Sequence, residues 1–331
     1  MGSSTLPPGI AAAVAGYEPI AQDMVAVEQI LATTLNSDRP AVSQLIQHLQ
    51  HFQGKRLRPA LLLLTAQACG GVNSDHRTLA AVVEIIHTAT LVHDDVLDKA
   101  AVRRHVQTIN SGWGNRTSIL LGDYLFTHAF HLASSVDARA CCLIGEATNR
   151  VCEGELEQNT ERGNVELSED TYLDIIDGKT AELTSCCCRL GAQYANQTDE
   201  VVDSMARYGR WLGVVFQVVD DLLDLVGEEK TTGKSLGTDL EQQKLTLPII
   251  RLLQSSEPEP RSRLMQILAS PGNHKREQLR PFLAESDALV YARDRAKEFA
   301  AKAQAELACI PDSPSKAVLV SLTERVVDRS H

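Results

Sequence analysis

The 331-residue chain lacks several features that would place it in a common class of protein. No apolar run approaches the roughly 18 residues of a membrane span, and the N-terminus lacks the basic-then-apolar pattern of a signal peptide. Basic residues are not in excess, since 43 Asp and Glu against 32 Lys and Arg give a formal net charge of -11. These absences argue against a transmembrane protein and a nonspecific nucleic-acid binder, and they predict a cytoplasmic location.

Cysteine pairs of the zinc-binding or redox type are also missing. The eight cysteines include three in a row at Cys186–Cys188 but no Cys-x-x-Cys spacing. We interpret them as small buried apolar residues in a reducing compartment. Sustained alternation of apolar and polar residues, which would predict strands, is absent as well.

Apolar residues recur instead at helical spacing, between short polar or Gly/Pro segments. Four predicted helices carry the positions discussed below: Leu79–Asp98, Thr117–Ala133, Tyr172–Leu190 and Met205–Val226. Neither a shift in composition nor a low-complexity tract divides the chain. The sequence predicts an all-α fold, with one large helical bundle over residues 17–331 after a flexible N-terminus at residues 1–16.

One acidic pattern occurs twice, near the ends of two of those helices. The copies are Asp94-Asp95-Val96-Leu97-Asp98 and Asp220-Asp221-Leu222-Leu223-Asp224. In each copy the outer aspartates are four residues apart and share one helix face, where like charges repel. Carboxylate oxygens suit Mg²⁺, which prefers to share its coordination shell with phosphate oxygens. The repeat predicts a metal site for a diphosphate-bearing substrate.

Cations are gathered in short segments around these motifs. They are Gly54–Pro59 with Lys55 and Arg58, the pair Arg103-Arg104, and the Gly-rich segment Gly233–Leu240 with Lys234, followed by Lys244. A basic loop ahead of a helix favours phosphate, because backbone N–H groups and the helix dipole add to its charge. The Gly-rich segment lacks the spacing of a nucleotide-binding P-loop. Taken singly, each segment is more often a solvated surface; together they indicate a site for diphosphate groups.

In this order on a helical chain, the motifs resemble those of the trans-isoprenyl diphosphate synthases, the head-to-tail prenyltransferases. The matching positions extend over nearly the whole chain from about residue 20: Gly54–Pro59, His87 through Arg104, Lys179-Thr180, Gln217 through Asp224, and Gly233–Lys244. The resemblance implies an all-α bundle of the isoprenoid synthase type I fold around a central cavity. It also implies a homodimer that joins isopentenyl diphosphate to an allylic diphosphate and touches membranes only transiently, for product release.

The resemblance assigns roles to individual residues. Three Mg²⁺ ions would be bound by the outer aspartates Asp94, Asp98, Asp220 and, in support, Asp224. The allylic diphosphate would be bound by Arg103, Lys179, Lys234 and Lys244. Isopentenyl diphosphate would be bound by Lys55, Arg58, His87 and Arg104. The reaction centre would be lined by Thr180 and Gln217.

The histidines around the first motif are assigned separately. His87 lies two turns before Asp94 on the same helix face, which favours a role in the site over one in the core. We interpret His93 and His105 as structural. His105 stands where many relatives carry glycine or asparagine, a departure that concerns the shape of the loop and not the chemistry.

Product length is predicted from the residues one and two turns before Asp94, which would form the floor under the growing chain. These are Ala89 and Thr90, then Ile85 and Ile86. Short-chain relatives carry an aromatic residue near the position of Ala89, so the small residue here predicts a long-chain product, octaprenyl- or heptaprenyl-like. Two residues further along the tunnel, Phe126 and Phe130, would either stop chain growth or simply pack in the core.

Three alternatives stay open at this point. A synthase of shorter product, geranylgeranyl or farnesyl diphosphate, is disfavoured by Ala89 but not excluded. A class I terpene cyclase usually lacks the second aspartate motif and a site for isopentenyl diphosphate. A subunit of a heteromeric synthase is the third, although non-catalytic partners tend to lose the aspartates that this chain has.

Overall fold

The computed structural model describes residues 16–52, 54–227, 236–270 and 274–328. Its α-helices are α1 Ala21–Thr34, α2 Pro40–Leu49, α3 Leu57–Ala68, α4 Ser74–Leu97, α5 Ile109–Trp113, α6 Asn115–Ser134, α7 Ala138–Thr160, α8 Glu169–Ile176, α9 Glu182–Gln193, α10 Asp199–Val226, α11 Thr238–Glu241, α12 Leu247–Ser255, α13 Pro258–Ala269, α14 Lys275–Glu285, α15 Ala288–Glu306 and α16 Pro314–Asp328. Single 3₁₀ turns lie at Glu18–Ile20, Gln50–Phe52 and Leu307–Cys309. The all-α prediction is confirmed.

The helices that carry the aspartate motifs begin earlier than predicted. Helix α4 starts at Ser74 because Asn73 and His76 form a capping box: the Asn73 side chain accepts from His76 N at 3.0 Å, and Asn73 N donates to His76 Nδ1 at 3.1 Å. Helix α10 starts at Asp199, with two acidic residues in its first turn, where the helix dipole favours negative charge. Polar first turns of this kind extend a helix beyond its apolar pattern.

A short hairpin departs from the prediction that the chain has no strands. Strand β1, Val102–Arg103, pairs antiparallel with strand β2, Val106–Gln107. Two-residue strands are too short to show the alternation on which the prediction rested. The turn residues Arg104 and His105 have φ angles of 50° and 64°, as two-residue hairpin turns require. His105 therefore adopts the conformation that glycine or asparagine would reach with less strain.

The predicted helix Tyr172–Leu190 is interrupted by a π-helical segment at Asp177–Ala181, between α8 and α9. Two glycines allow the backbone of α7 to touch this segment. A Cβ atom on Gly154 would lie 2.5 Å from Lys179 N, and one on Gly178 would lie 3.0 Å from Arg150 O. Such segments are rare and occur often at functional sites.

The interpretation of the cysteines as buried is correct for only part of the set. Cys69 and Cys186–Cys188 are buried, whereas Cys142, Cys152 and Cys309 are exposed, and none of the eight forms a disulfide. Burial raises the pKa of the Cys187 thiol well above its usual value. The buried thiols therefore act as small core residues, and the exposed ones lie on outward helix and turn positions.

The chain divides into two compact units, each with its own apolar core. The first contains the described residues of Met1–Glu146, Cys186–Ala206 and Leu307–Val320; the second contains those of Ala147–Ser185, Arg207–Glu306 and Ser321–His331. The first aspartate motif belongs to the first unit and the second motif to the second. A single domain over residues 17–331 stays a prediction, and the N-terminus up to residue 15 lies outside the described residues.

Among the helices in these ranges, none combines the length and apolar character needed to cross a bilayer.

Candidate active site

The first aspartate motif forms the C-terminal end of α4. Asp98 N donates to Asp94 O at 2.8 Å, so these outer aspartates lie one turn apart. Asp95 between them is buried, and its Oδ1 accepts a hydrogen bond from Arg103 Nε at 2.8 Å. Burial raises the pKa of Asp95 even though Arg103 acts in the opposite direction. Asp95 thus anchors β1, while partly exposed Asp94 and Asp98 lie where the helix dipole attracts a cation.

Arg58 and His87 lie in a cluster of positive charge in the first unit. Burial, and then the charges of Arg58, Arg104 and Arg103, hold the pKa of His87 well below its usual value, so its imidazole is neutral at neutral pH. Arg58 Nε is buried and makes no hydrogen bond among the described residues. Burial lowers the pKa of Arg58. A cation with a buried, unpaired N–H favours an anionic ligand.

Arg56, the third cation of the Gly54–Pro59 segment, has a structural role. It adopts a left-handed conformation, with φ of 50°, immediately before α3. Its Nε lies 2.7 Å from Glu28 Oε1, and its Nη1 lies 2.6 Å from Glu84 Oε1. This pairing fixes the chain between Lys55, which is exposed, and Arg58, which points inward.

Arg104 contacts the Gly54–Pro59 segment at Gly54 and the residue Phe52 just before it. Its Nη1 donates to Phe52 O. Its guanidinium lies against Gly54, where a Cβ atom would be 2.7 Å from Nη2 and 2.8 Å from Cζ. Because Arg103 is tied to Asp95, the two adjacent arginines diverge. The lack of a side chain at Gly54 therefore leaves space for the Arg104 guanidinium, a contact that the sequence pattern did not predict.

In the second unit, a chain of hydrogen bonds joins Thr180 to Gln217. Thr180 Oγ1 donates to Gln217 Oε1 at 2.9 Å, and Gln217 Nε2 donates to Asp221 Oδ1 at 2.7 Å. Tyr172 OH donates to the other Asp221 oxygen at 2.6 Å. Burial raises the pKa of both Asp221 and Tyr172 well above their usual values. Sequence reasoning missed Tyr172, because no spacing rule connects it to an aspartate 49 residues away.

Lys179, at the π-helical segment, is held by two residues of α7. Its Nζ donates to Gln158 Oε1 at 2.8 Å and forms an ion pair with Glu155. Neither partner was predicted from the sequence. Because Glu155 and Gln158 are three residues apart, they share one face of α7 and hold the ammonium group from one side.

The second aspartate motif gathers a further carboxylate. Asp224 accepts hydrogen bonds from Thr238 N at 3.3 Å, Thr238 Oγ1 at 3.1 Å and Asp239 N at 3.3 Å. Burial and the charge of Asp220 raise the pKa of Asp224. Burial and the charge of Asp224 raise the pKa of Asp239 to about 7, against the effects of Lys244 and Lys179. Asp239 lies within the Gly-rich segment but was not singled out as a site residue.

Lys244 is buried, with 8% of its surface exposed, and lies near Asp239. Lys234, the other predicted diphosphate ligand of this region, lies outside the described residues.

The carboxylates of both motifs fit a magnesium site in their chemistry. The donors are oxygens. In the second unit, burial and then mutual repulsion raise the pKa of Asp224 and Asp239, and a divalent cation would relieve that repulsion. Among the described residues, no three His, Cys, Asp or Glu side chains form a group that could hold a metal ion. In general, Mg²⁺ is bound by one or two protein carboxylates, and water and phosphate oxygens complete its coordination shell.

The residues predicted to set product length lie on α4 and α6 of the first unit. Ala89 and Ile86 have no exposed surface, while Thr90 is partly exposed and its Oγ1 donates to His87 O at 2.8 Å. Phe126 and Phe130 are partly buried. The role of these residues in product length stays a prediction.

Comparison with known proteins shows the family of the chain. Residues 39–285 match the family described as polyprenyl synthetase. The chain belongs to this family. Octaprenyl diphosphate synthase from Escherichia coli (strain K12) is 36% identical over 316 residues, which cover 94% of this chain and 97% of that protein.

Two solved structures of the polyprenyl synthase family are closely similar. A decaprenyl diphosphate synthase from Rhodobacter capsulatus has a TM-score of 0.90 and 34% identity, covering 96% of this chain and 99% of that chain. A polyprenyl synthase from Caulobacter crescentus CB15, complexed with calcium and isoprenyl diphosphate, has a TM-score of 0.89 and 33% identity, covering 97% and 98%. The predicted family, its all-α fold and its prenyltransferase class are confirmed.

Proposed function

We propose that this chain condenses isopentenyl diphosphate with an allylic diphosphate to make a long-chain trans-polyprenyl diphosphate, in a Mg²⁺-dependent reaction. The observation that carries the proposal is the pairing of two kinds of site on one chain of this family. The first unit holds Arg58, whose buried Nε–H makes no hydrogen bond among the described residues, beside neutral His87. The second holds mutually repelling carboxylates near Lys179 and Lys244.

In this proposal, separate sets of residues bind the two diphosphate groups. Lys55, Arg58, Arg104 and the neutral N–H of His87 would bind the diphosphate of isopentenyl diphosphate. Arg103, Lys179, Lys234 and Lys244 would bind that of the allylic substrate. Asp94, Asp98, Asp220 and Asp224 would hold three Mg²⁺ ions. When bound, Mg²⁺ supplies Lewis-acid neutralisation of the charge on the departing diphosphate.

The dipoles of Thr180 and Gln217 would line the reaction centre. Thr180 and Gln217 are oriented by Asp221, which Tyr172 holds in turn, so these dipoles need little reorganisation as the allylic C–O bond breaks. The double bond of isopentenyl diphosphate then attacks the allylic cation, and a proton is lost to restore an alkene. The released diphosphate would accept that proton, so the proposed reaction requires no protein base.

A homodimer is part of the proposal. The exposed apolar residues Ile119 and Leu120, adjacent on α6 with 46% and 59% of their surfaces exposed, support an interface there. Size-exclusion chromatography of the chain alone distinguishes a homodimer from an obligate subunit of a heteromer. The cytoplasmic location stays a prediction.

The test is to incubate the purified chain with Mg²⁺, isopentenyl diphosphate and farnesyl diphosphate and to measure product masses. A ladder that ends well beyond the geranylgeranyl product is expected. A stop at that product would support the shorter-chain alternative. Diphosphate binding without elongation would favour a cyclase or a partner subunit.

Replacing Gly54 by alanine is expected to raise the KM for isopentenyl diphosphate about tenfold, because a Cβ there displaces the Arg104 guanidinium and weakens a charge-assisted contact. The KM for the allylic substrate should change little. Gly112→Ala is the matched control, since its added Cβ would be no closer than 3.6 Å to Gln107. Steady-state kinetics with each substrate varied in turn measures both constants; equal increases for the two substrates would contradict the assignment.

The ligand-free protein is expected to lose stability as the pH falls below about 6.5. The pKa of His87 is lowered in the folded chain, and burial is the largest cause. As the pH falls, the unfolded chain therefore binds a proton at His87 before the folded chain does. This contribution is present above the unfolded pKa and is lost as the pH falls, by on the order of 1 kcal/mol at about pH 5.5. Thermal unfolding of His87→Gln should show a smaller loss between about pH 7.5 and 5.5. An equal loss in the variant would refute the explanation.

A further inference from the structure

Arg276, on α14, binds both segments that border residues 228–235. Its Nε donates to Leu225 O at 2.6 Å, and its Nη2 donates to Gly227 O at 2.7 Å. Leu225 lies in the last turn of α10 and Gly227 directly follows the helix, where the last carbonyls have no helical partners. A guanidinium there also complements the negative end of the helix dipole.

The stem of the same arginine packs under the beginning of α11. Gly237 has φ of +77°, and a Cβ atom on it would lie 3.2 Å from Arg276 Cβ and 3.4 Å from its Cδ. Gly237 N donates to Asp224 O at 3.0 Å. One side chain therefore touches the end of α10 and the N-cap of α11 at once.

These two contacts flank the carboxylates of the second unit. Asp220 and Asp224 lie on the last two turns of α10, and Asp239 lies in α11. Thr238 and Asp239 donate three hydrogen bonds to the Asp224 carboxylate. Without a cation the negative charges of this group repel one another, which works to separate α10 from α11.

We propose that Arg276 is a positioning residue that holds α10 and α11 together, so that the carboxylates of the second motif are already gathered when Mg²⁺ binds. The inference rests on the proposed metal-binding function of Asp220 and Asp224. Arg276 contacts neither substrate nor metal in this role. It acts through the backbone of Leu225, Gly227 and Gly237.

The test compares Arg276→Met with wild type in a Mg²⁺ titration at fixed inorganic diphosphate, read out as thermal stabilisation of the full chain. The Mg²⁺ concentration at half-maximal stabilisation is expected to rise about tenfold, within the usual range of coupling between linked sites. Arg276→Lys keeps a cationic hydrogen-bond donor, so its Mg²⁺ midpoint should lie between those of the wild type and Arg276→Met. If Arg276→Met fails to fold, Arg276→Lys and Gly237→Ala carry the test, since the added Cβ of the latter presses on the arginine stem.

Lys275→Met is the matched control. Lys275 is the neighbouring cation on α14, and its Nζ donates to Leu268 O at 2.8 Å, near the end of α13, which carries no aspartate motif. Its loss should lower the unfolding temperature without moving the Mg²⁺ midpoint. An equal shift in both variants, or no shift in Arg276→Met, would overturn the positioning role.

The outcomes separate this inference from the function on which it rests. A wild-type chain that is stabilised by Mg²⁺ and diphosphate but makes no product would defeat the proposed synthase activity and leave the positioning role measurable. A wild-type chain without any Mg²⁺-dependent stabilisation would overturn the metal assignment, and the role of Arg276 with it.

Discussion

Replacing Asp94 or Asp220 by alanine is expected to lower kcat/KM by about 10²- to 10³-fold while the fold is kept. Each carboxylate is proposed to hold Mg²⁺ against a departing diphosphate, and losing several kcal/mol of charge stabilisation in the transition state corresponds to a factor of this size. Both aspartates are partly exposed, in contrast to their buried neighbours Asp95 and Asp221.

The measurement is initial velocity at saturating and limiting Mg²⁺, together with the unfolding temperature of each variant. Asp123→Ala is the control, since Asp123 is a carboxylate on α6 whose side chain is 61% exposed. It should keep wild-type kinetics. Near-normal activity in Asp94→Ala or Asp220→Ala would contradict the metal assignment.

Replacing Ala89 by phenylalanine is expected to shorten the product, with the longest chains lost and the geranylgeranyl product accumulating. Ala89 lies five residues before Asp94 on α4 and has no exposed surface. An aromatic ring there must occupy space that neighbouring side chains or the growing product fill in the wild type. Overpacking of this kind costs about 1–3 kcal/mol of stability, so the unfolding temperature should fall modestly as well.

Product masses from a reaction started with farnesyl diphosphate measure the effect. Ala80→Phe is the control: Ala80 is equally buried on α4 but lies nine residues earlier, on the opposite face of the helix. It should lower stability and leave product length unchanged. Ala89→Leu provides a milder substitution in case the larger ring prevents folding. An unchanged distribution in a folded Ala89 variant would refute the tunnel assignment.

Much of the fold could be predicted because apolar residues at helical spacing identify buried helix faces. The C-terminal ends of α4 and α10 follow the predicted pattern, and their N-terminal ends were missed because capping by Asn73 and acidic first turns have no apolar signature. The β1–β2 hairpin was missed for a different reason. Its two-residue strands are set by a turn and by the bond from Arg103 to Asp95, which neither periodicity nor composition reveals.

The candidate site was likewise predicted only in part from the sequence. Spacing on one helix placed Asp94 with Asp98 and His87 with Asp94, since side chains four or seven residues apart share a helix face. The partners of these residues come from elsewhere in the chain. Gly54 beside Arg104, and Tyr172 bonded to Asp221, are contacts between segments far apart in sequence, and no local rule predicts them.

The sequence by itself determined the all-α class, the family and the placement of the paired aspartates on one helix face, because these depend on residue type and on spacing within a helix. Tertiary structure alone decided which charges are neutralised within the fold and which remain for ligands. Arg56 is paired with Glu28 and Glu84, whereas Arg58 Nε, two residues later, is buried and has no hydrogen-bond partner in the part of the chain that the structure describes. The physical reason is that burial and pairing depend on the surroundings of a side chain, which chain folding assembles from distant segments.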